Sequence, residues 1–214
     1  MKPLKETRGK SLFLFPADYT VIDLETTGLN PLTESIIEVA GLKVRNGNVV
    51  DAFSSLVSPK TPLSEFVQEF TGISEQMLWD APQAEEVIPH FISFIGEDPV
   101  VGHNVVFDVS FLQRWIYECT EADFSNDFID TLRFARKVYP ELSHHKLSDL
   151  IDYLHLTSDT FHRALGDCQM THTLFQRIER DTLKTYGTFE SFIERAVKHK
   201  KQKRKIHIGD VKNF

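Results

Sequence analysis

The first 57 residues contain three short segments that are rich in β-forming side chains. These segments are Tyr19–Leu24, Ser35–Arg45 and Val49–Val57. Asn46 and Gly47 separate the second segment from the third, and an Asn-Gly pair favours the tight turn of a β-hairpin. The residues between the first and second segments, 26–31, also favour a turn. The sequence therefore predicts a domain that opens with three strands able to pair in antiparallel fashion.

After residue 62 the pattern changes to helices that alternate with two short apolar runs. Val87, Phe91 and Ile95 recur at helical spacing, and Pro89 within this stretch favours a kink or a break. The apolar runs predict two further strands, Pro99–Gly102 and Phe128–Asp130. The predicted helices are roughly Ser64–Phe70, Ser74–Trp79, Ala84–Ile95, Val105–Cys119, Thr131–Val138, Lys146–Leu154 and Arg163–Tyr186. This order of elements predicts an α/β fold with helices on the faces of a sheet.

Chain length and charge limit the classes of function. With 214 residues, of which 41% are hydrophobic, the chain can bury one sizeable core. Its net charge of −7 counts against a polyanionic partner, because Lys and Arg usually meet phosphates. That argument fails if the acidic residues bind divalent cations, which then supply the positive charge. No segment approaches the roughly 20 apolar residues of a membrane span. We therefore expect a cytoplasmic protein without membrane contact.

Asp23 and Glu25 stand two residues apart at the end of a predicted strand. Side chains at this spacing point to the same face of a sheet, so the two carboxylates repel each other unless a cation lies between them. Oxygen ligands of this kind favour Mg²⁺ or Mn²⁺. Taken alone, the pair fits a solvated edge strand better. The turn-forming residues Thr26, Thr27 and Gly28 that follow favour a site, because such a turn lets the backbone approach a ligand.

Two further segments carry candidate catalytic residues. Asp108 ends the sequence G-H-N-V-V-F-D, where an apolar strand meets a helix, although an acid in a first helical turn also simply complements the helix dipole. His162 and Asp167 lie in F-H-R-A-L-G-D, with the histidine just before a predicted helix. A histidine there suits general-base work because its pKa lies near neutrality. Considered singly, His162 fits a surface or capping residue better, since the chain has nine histidines.

Together these motifs resemble those of a known enzyme family. D-x-E-T-T-G from Asp23, H-N-x-x-F-D ending at Asp108 and H-x-x-x-x-D from His162 to Asp167 are similar to the three motifs of the DEDDh, or DnaQ-like, 3′-5′ exonucleases. That family includes the epsilon-type proofreading exonuclease of bacterial DNA polymerase III and stand-alone relatives. The resemblance runs from about residue 19 to residue 178. It implies an α/β, RNase H-like fold with a mixed five-stranded sheet flanked by helices.

The resemblance also implies roles for individual residues. Asp23, Glu25 and Asp167 would bind one of two divalent metal ions, and Asp23 would bridge to a second ion near Asp108. His162 would act as general base toward the attacking water. The residues implied in substrate binding are Thr26, Thr27, Gly28, Leu29, His103, Asn104 and Phe107. Leu29 and Phe107 would supply apolar contacts to the terminal nucleotide.

The expected enzyme is a metal-dependent 3′-5′ exonuclease. It would remove nucleoside 5′-monophosphates from the 3′ end of single-stranded nucleic acid, with DNA favoured over RNA. The alternatives are an oligoribonuclease, or a non-catalytic module that binds nucleic acid or a protein partner. A proofreading role would require a DNA polymerase subunit as partner.

The chain is expected to divide into three parts. These are an N-terminal leader over residues 1–17, an exonuclease domain over 18–182 and a C-terminal helical extension over 183–214. The extension ends in a basic run, Lys198 to Lys205, in which six of eight residues are Lys or Arg. Such a run is usually a solvated tail, and the alternative is a flexible arm that captures nucleic acid.

Overall fold

The structure is a computed structural model that describes residues 9–156 and 163–195. Six strands form one sheet in the order β1-β6-β5-β2-β3-β4. The strands are β1 Ser11–Leu12, β2 Tyr19–Thr26, β3 Ile36–Arg45, β4 Asn48–Leu56, β5 Val100–Gly102 and β6 Phe128–Asp130. The helices are α1 Glu65–Thr71, α2 Glu75–Leu78, α3 Ala84–Ile95, α4 Val106–Thr120, α5 Thr131–Val138, α6 Leu147–Tyr153 and α7 Ala164–Tyr186.

The mixed sheet flanked by helices confirms the predicted fold class, with one strand more than predicted. Strands β2, β3 and β4 pair in antiparallel fashion, whereas β1, β6, β5 and β2 run parallel. The sixth strand is β1, whose two residues pair with Phe128 and Ile129 of β6. The sequence pattern does not reveal it, because two residues are too few to show a period of two.

The hairpin between β3 and β4 forms where the sequence predicts it. Asn46 and Gly47 both adopt positive φ, at 49° and 76°, as a two-residue hairpin turn requires. Helix α3 continues through Pro89 without a break in its residue range. Pro89 therefore does not break the helix.

The three parallel strands β2, β5 and β6 point their carboxyl ends to the same edge of the sheet. Strand β2 ends at Thr26, directly after Glu25, whereas β5 ends at Gly102 and β6 at Asp130. In open α/β sheets ligands usually bind in the crevice outside this edge. The fold thus gathers the predicted motifs at one place even though they are far apart in the sequence.

Each face of the sheet is covered by its own apolar cluster. Helix α7 packs on one face, and its Leu174 and Ile178 belong to the same buried cluster as Val21 and Leu42 of the sheet. Helices α3 and α4 cover the other face, on which Ile22 packs. Alternate residues of β2 therefore point to opposite faces, and the side chains of Asp23 and Glu25 share the α7 face with Val21.

The described ends of the chain pack against the α7 face of this same body. Phe13 stacks on Phe134 with ring centroids 3.9 Å apart and on Phe192 at 5.5 Å. Phe15 contacts Phe175 of α7, with ring centroids 5.2 Å apart.

The division into leader, domain and extension stays a prediction. The basic run from residue 198 to residue 205 lies outside the described residues. None of the helices in the described part of the chain has the length and apolar character needed to cross a membrane.

Candidate active site

Three carboxylates from two elements converge at the carboxyl edge of the sheet. Asp23 and Glu25 extend from the end of β2, and Asp167 lies in the first turn of α7. One carboxylate oxygen of each residue lies within 4.8 Å of the others. The register between β2 and β3 shifts between Glu25 and Thr26, and such irregularities redirect side chains at the end of a strand.

A fourth carboxylate, Asp108, reaches this edge from helix α4 on the opposite face. Its side chain is 4% exposed and its Oδ1 accepts a hydrogen bond of 3.1 Å from the backbone N–H of Leu24, between the two acids of β2. The turn before α4 is tight at Gly102. A Cβ there would lie 2.7 Å from Val105 Cγ2 and 3.2 Å from the carbonyl oxygen of Ile22, so a larger residue would push α4 away from β2.

The electrostatics of the cluster show repulsion that the protein itself does not fully neutralise. Burial raises the pKa of Asp23 well above its usual value, and the charges of Asp108 and Asp167 raise it further. Burial, with repulsion from Asp167, raises the pKa of Glu25 to about 8, although Arg163 opposes this shift. Within residues 9–156 and 163–195, no lysine or arginine forms an ion pair with Asp23, Glu25 or Asp108.

These donors fit a hard divalent cation. All of them are carboxylate oxygens, which are the ligands that Mg²⁺ and Mn²⁺ prefer. The group formed by Asp23, Glu25 and Asp167 is compact enough for one ion. Asp108 is not part of this group but is its neighbour, because its Oδ1 accepts from the N–H of Leu24 and its charge raises the pKa of Asp23. A cation would favour the ionised form of each acid and so reverse the raised pKa values.

Glu38 is a buried acid at this edge that the sequence motifs do not include. It lies on β3 directly opposite Glu25 and is 1% exposed. Arg163 Nη2 donates to Glu38 Oε1 at 2.7 Å, and Arg163 Nε donates to both carboxylate oxygens at 3.2 Å. The backbone N–H of Ala164 donates to Oε2 at 3.1 Å. The available signal in the sequence was a lone acid inside the apolar run I-I-E-V-A.

The turn predicted to bind the nucleotide is held closed by its own side chains. Thr27 Oγ1 donates to Glu34 Oε2 at 2.6 Å, and Thr26 Oγ1 donates to the carbonyl of Gly28 at 2.7 Å. A Cβ at Gly28 would lie 2.9 Å from Glu34 Cδ, so a larger residue would displace the side chain that Thr27 bonds. Leu29 at its tip is 85% exposed and free of the core.

A second residue that the sequence did not reveal braces this turn from outside. Arg114 Nη1 donates to the carbonyl oxygens of Pro31 and Glu34 at 2.7 and 2.9 Å. Its Nε donates to Glu118 at 2.8 Å. Because Arg114 and Asp108 lie on the same helix, α4 fixes both a carboxylate of the site and the turn that carries Leu29.

The other predicted substrate contacts follow strand β5. The ring nitrogens of His103 lie 2.9 Å from Thr131 Oγ1 and 2.8 Å from the carbonyl oxygen of His145, so this histidine ties β5 to the start of α5. Asn104 adopts a positive φ of 64° and its N–H donates to Asp130. Phe107 is half-buried and contacts Phe111, with ring centroids 4.9 Å apart.

The predicted general base, His162, lies outside the described residues. Its neighbour Arg163 is described and forms the N-cap of α7. The backbone N–H of Asp167 donates to the carbonyl of Arg163 at 3.0 Å, which closes the first turn of the helix. The structure therefore describes the helix start that follows His162 and the acid one turn beyond it.

Comparison with known proteins identifies relatives over most of the chain. The exonuclease family model RNase_T matches residues 20–175. The DNA polymerase III PolC-type protein of Latilactobacillus sakei subsp. sakei is 37% identical over 171 residues, 79% of this chain. That of Bacillus subtilis is 38% identical over 164 residues, 76% of this chain. The chain spans only 12% and 11% of the length of these two relatives.

Solved structures give a matching result. A structure of Exonuclease X in complex with 5′ overhanging duplex DNA superposes with a TM-score of 0.63 and 31% identity, covering 81% of this chain and 96% of that one. Exonuclease I of E. coli in complex with a dT13 oligonucleotide has a TM-score of 0.69 at 16% identity, covering 80% of this chain and 43% of that one. The second likeness establishes the fold alone. With a family model over residues 20–175 and these relatives, the chain belongs to the RNase_T family of exonucleases, enzymes that hydrolyse phosphodiester bonds.

Proposed function

We propose that this chain is a metal-dependent 3′-5′ exonuclease that removes nucleoside 5′-monophosphates from single-stranded 3′ ends. The observation that carries the proposal is the convergence of Asp23, Glu25 and Asp167, whose carboxylate oxygens lie within 4.8 Å of one another. Buried Asp108 lies beside them and accepts a hydrogen bond from the backbone N–H of Leu24. Four acids at one edge of a sheet destabilise the fold unless cations offset them. Family membership gives these acids a role, because divalent ions held by carboxylates can activate water and stabilise charge in phosphodiester hydrolysis.

Two divalent cations, Mg²⁺ or Mn²⁺, complete the proposed site. Asp23, Glu25 and Asp167 would hold the first cation, and Asp23 together with Asp108 would hold the second. When bound, such a pair activates the attacking water and stabilises the charge on the phosphate and on the leaving 3′-oxygen. The protein contributes the positions of the four carboxylates, which β2, α4 and α7 hold in place.

His162 is the proposed general base. It accepts the proton of the attacking water, which requires the neutral form of its imidazole. What supports this role in the described residues is the next residue in sequence: Arg163 is the N-cap of α7 and bonds Glu38 at the edge that carries the carboxylates.

The substrate is proposed to be single-stranded DNA in preference to RNA. Two neighbours were solved with DNA, a 5′ overhanging duplex in one case and dT13 in the other. Exposed Leu29 and half-buried Phe107 offer apolar contacts to a base or sugar, and apolar contacts of this kind discriminate little among sequences. The turn at Thr26, Thr27 and Gly28, with His103 and Asn104, completes the proposed nucleotide site.

A cytoplasmic location and a polymerase partner belong to the same proposal. The PolC-type relatives are DNA polymerases, and this chain matches about one tenth of their length, so a polymerase activity would have to come from elsewhere. An oligoribonuclease and a non-catalytic binding module remain the alternatives. All five catalytic positions hold the residue types that the chemistry needs, which favours an active enzyme over a binding module.

The test is a degradation assay on matched single-stranded DNA and RNA, each labelled at either the 5′ or the 3′ end. With Mg²⁺, strands labelled at the 5′ end should shorten stepwise. Strands labelled at the 3′ end should release the label in the first step, as a mononucleotide. DNA should be degraded faster than RNA of the same sequence, and a chelator should stop both reactions. Release of the 5′ label first would refute the polarity. Full activity in excess chelator would refute the metal mechanism, and faster trimming of short RNA would favour the oligoribonuclease.

A further inference from the structure

Glu38 and Arg163 form a contact at the carboxyl edge of the sheet that none of the proposed catalytic roles uses. Glu38 is buried on β3, and its two carboxylate oxygens receive four hydrogen bonds, three from Arg163 and one from the backbone N–H of Ala164. The planar guanidinium meets the carboxylate through two of its nitrogens, which fixes both distance and orientation. We name these three residues the Glu38 clamp.

The Glu38 clamp caps helix α7 with a side chain from another element. The N-cap residue Arg163 makes no side-chain hydrogen bond to the N–H groups of the first turn. The N–H of Ala164, the first helical residue, donates instead to Glu38 Oε2 at 3.1 Å. A carboxylate at this end of a helix also complements the helix dipole. The start of α7 is therefore stabilised by a residue of β3 that lies 126 positions earlier in the sequence.

The first turn of α7 carries a ligand of the proposed metal site. Asp167 lies in this turn, and its backbone N–H donates to the carbonyl of Arg163 at 3.0 Å. Asp167 joins the compact group of carboxylates with Asp23 and Glu25, which both extend from β2. The group closes only if the start of α7 keeps its place beside the sheet. The clamp fixes that place, because Glu38 pairs with Glu25 across the two strands.

The apolar contacts of α7 lie farther along the helix. Leu174 and Ile178 are buried about two and three turns beyond Asp167, so they anchor the middle of the helix and not its start. A helix end frays when the N–H groups of its first turn lack partners. Fraying at this end would move Asp167 away from the two acids of β2 while the rest of α7 stayed in place.

Glu38 itself is not a metal ligand in this arrangement. Both of its oxygens already accept hydrogen bonds, and the compact group of carboxylates in the described residues does not include it. Its effect on a bound cation would therefore pass through the helix start that it holds.

We propose that the Glu38 clamp is a positioning element for Asp167, holding its carboxylate where it completes the ligand group of the first cation. This inference rests on the proposed function. Changing a residue that orients a metal ligand typically weakens metal affinity by about 10- to 100-fold. About 10-fold is expected when Arg163 alone is changed, because the N–H of Ala164 can still bond Glu38. Turnover should fall at limiting Mn²⁺ and recover in excess Mn²⁺, since Asp167 is still present.

The experiment is calorimetric titration of the metal-free variants Arg163→Met and Arg163→Lys with Mn²⁺, with a nucleoside 5′-monophosphate present. The side chain of Arg163 is 44% exposed, so both variants should fold. Arg163→Met removes a positive charge that acts on Glu25, so charge alone would tighten Mn²⁺ binding. Lost positioning would instead weaken binding by about 10-fold. Arg163→Lys keeps the charge without the planar fork, so it should weaken binding by a smaller factor.

Arg177→Met is the matched control. It removes the same charge from α7 and breaks an ion pair with Asp181, away from the start of the helix. Its Mn²⁺ affinity should equal that of the wild type. Thermal unfolding of each variant shows whether the protein is fully folded at the temperature of the titration.

The outcomes separate this inference from the proposed function. Unchanged or tighter Mn²⁺ binding in Arg163→Met would overturn the inference alone, even if kcat fell. An equal loss of affinity in Arg177→Met would also overturn it, because the effect would then belong to the charge or the stability of α7 as a whole. A wild-type chain that binds no Mn²⁺ would refute the proposed metal site, and the inference with it.

Discussion

The sheet carries acidic residues at both the amino and the carboxyl ends of its parallel strands, and the two groups of acids have different partners. At the amino ends of the parallel strands, Asp98 accepts a hydrogen bond of 2.7 Å from Thr20 Oγ1. Arg45 Nη2 lies 2.9 Å from its Oδ2, and Lys43 Nζ lies 3.6 Å from the same oxygen. One carboxylate thus meets two cations and a hydroxyl. We name this group the Asp98 cluster.

At the carboxyl ends the balance is reversed. Asp23, Glu25 and Asp108 have no ion pair with a lysine or arginine among the described residues, and Arg163, whose charge acts on Glu25, is bonded to Glu38. The comparison teaches that acids matched by cations stabilise the fold, whereas acids left unmatched at a ligand-binding edge indicate a site for an external cation.

The largest expected effect comes from the acid at the centre of the unmatched end. Asp23→Ala should lower kcat by about 10³-fold or more, because it removes a ligand shared by both proposed ions, each contributing several kcal/mol of transition-state stabilisation. Single-turnover degradation of labelled DNA measures this loss. Near-normal turnover would mean that the site lies elsewhere.

The next effect concerns the base. His162→Ala should lower kcat by roughly 10²- to 10⁴-fold while leaving Mn²⁺ affinity intact. Because only neutral imidazole accepts the proton, the wild-type rate should rise with pH through a titration near neutrality. The variant should lose that rise. An unchanged pH profile in the variant would assign the rise to another group.

A smaller effect is expected at the Asp98 cluster, and it concerns stability instead of activity. Asp98→Asn should lower the free energy of unfolding by roughly 1–3 kcal/mol, because the charged hydrogen bonds from Thr20 and Arg45 and the ion pair with Lys43 are weakened. Its kcat should stay at the wild-type value. Denaturant unfolding and the degradation assay measure the two quantities on one preparation. A loss of activity without a loss of stability would remove the distinction between the two ends.

A still smaller effect is expected on the pH dependence of stability, and it arises from Glu25 at the carboxyl ends of the strands. Glu25 has its pKa raised from 4.5 to about 8 in the metal-free fold, so between these values the native state binds more protons than the unfolded chain. Stability of the metal-free protein should therefore fall as pH rises through this range. Mg²⁺ should offset the fall, since it favours the ionised acid. A melting temperature that rises over this range in chelator would contradict the shift.

Much of this organisation could be predicted from local sequence. The spacing of Asp23 and Glu25 predicts one shared face because side chains alternate along a strand, and Asn46-Gly47 predicts the hairpin because both residues tolerate positive φ. The same locality explains what was missed. The strand at Ser11–Leu12 depends on pairing with β6, and two residues leave no pattern of their own.

The contacts that hold the site together depend on distant partners. Glu38 meets Arg163 across 125 positions, and Arg114 meets the carbonyl of Pro31 across 83. Each of these residues reads in sequence as one more charged side chain on a strand or a helix. Only the topology of the sheet shows that they meet.

The most direct test of the unmatched acids is calorimetric titration of the metal-free protein with Mn²⁺ in the presence of a nucleoside 5′-monophosphate. The wild-type chain should bind two ions, and Asp98→Asn should bind two as well. Asp23→Asn, which keeps the size of the side chain while removing its charge, should lose both. Absence of Mn²⁺ binding in the wild type, or equal binding in Asp23→Asn, would contradict the central claim that the carboxyl edge of this sheet is a two-cation site.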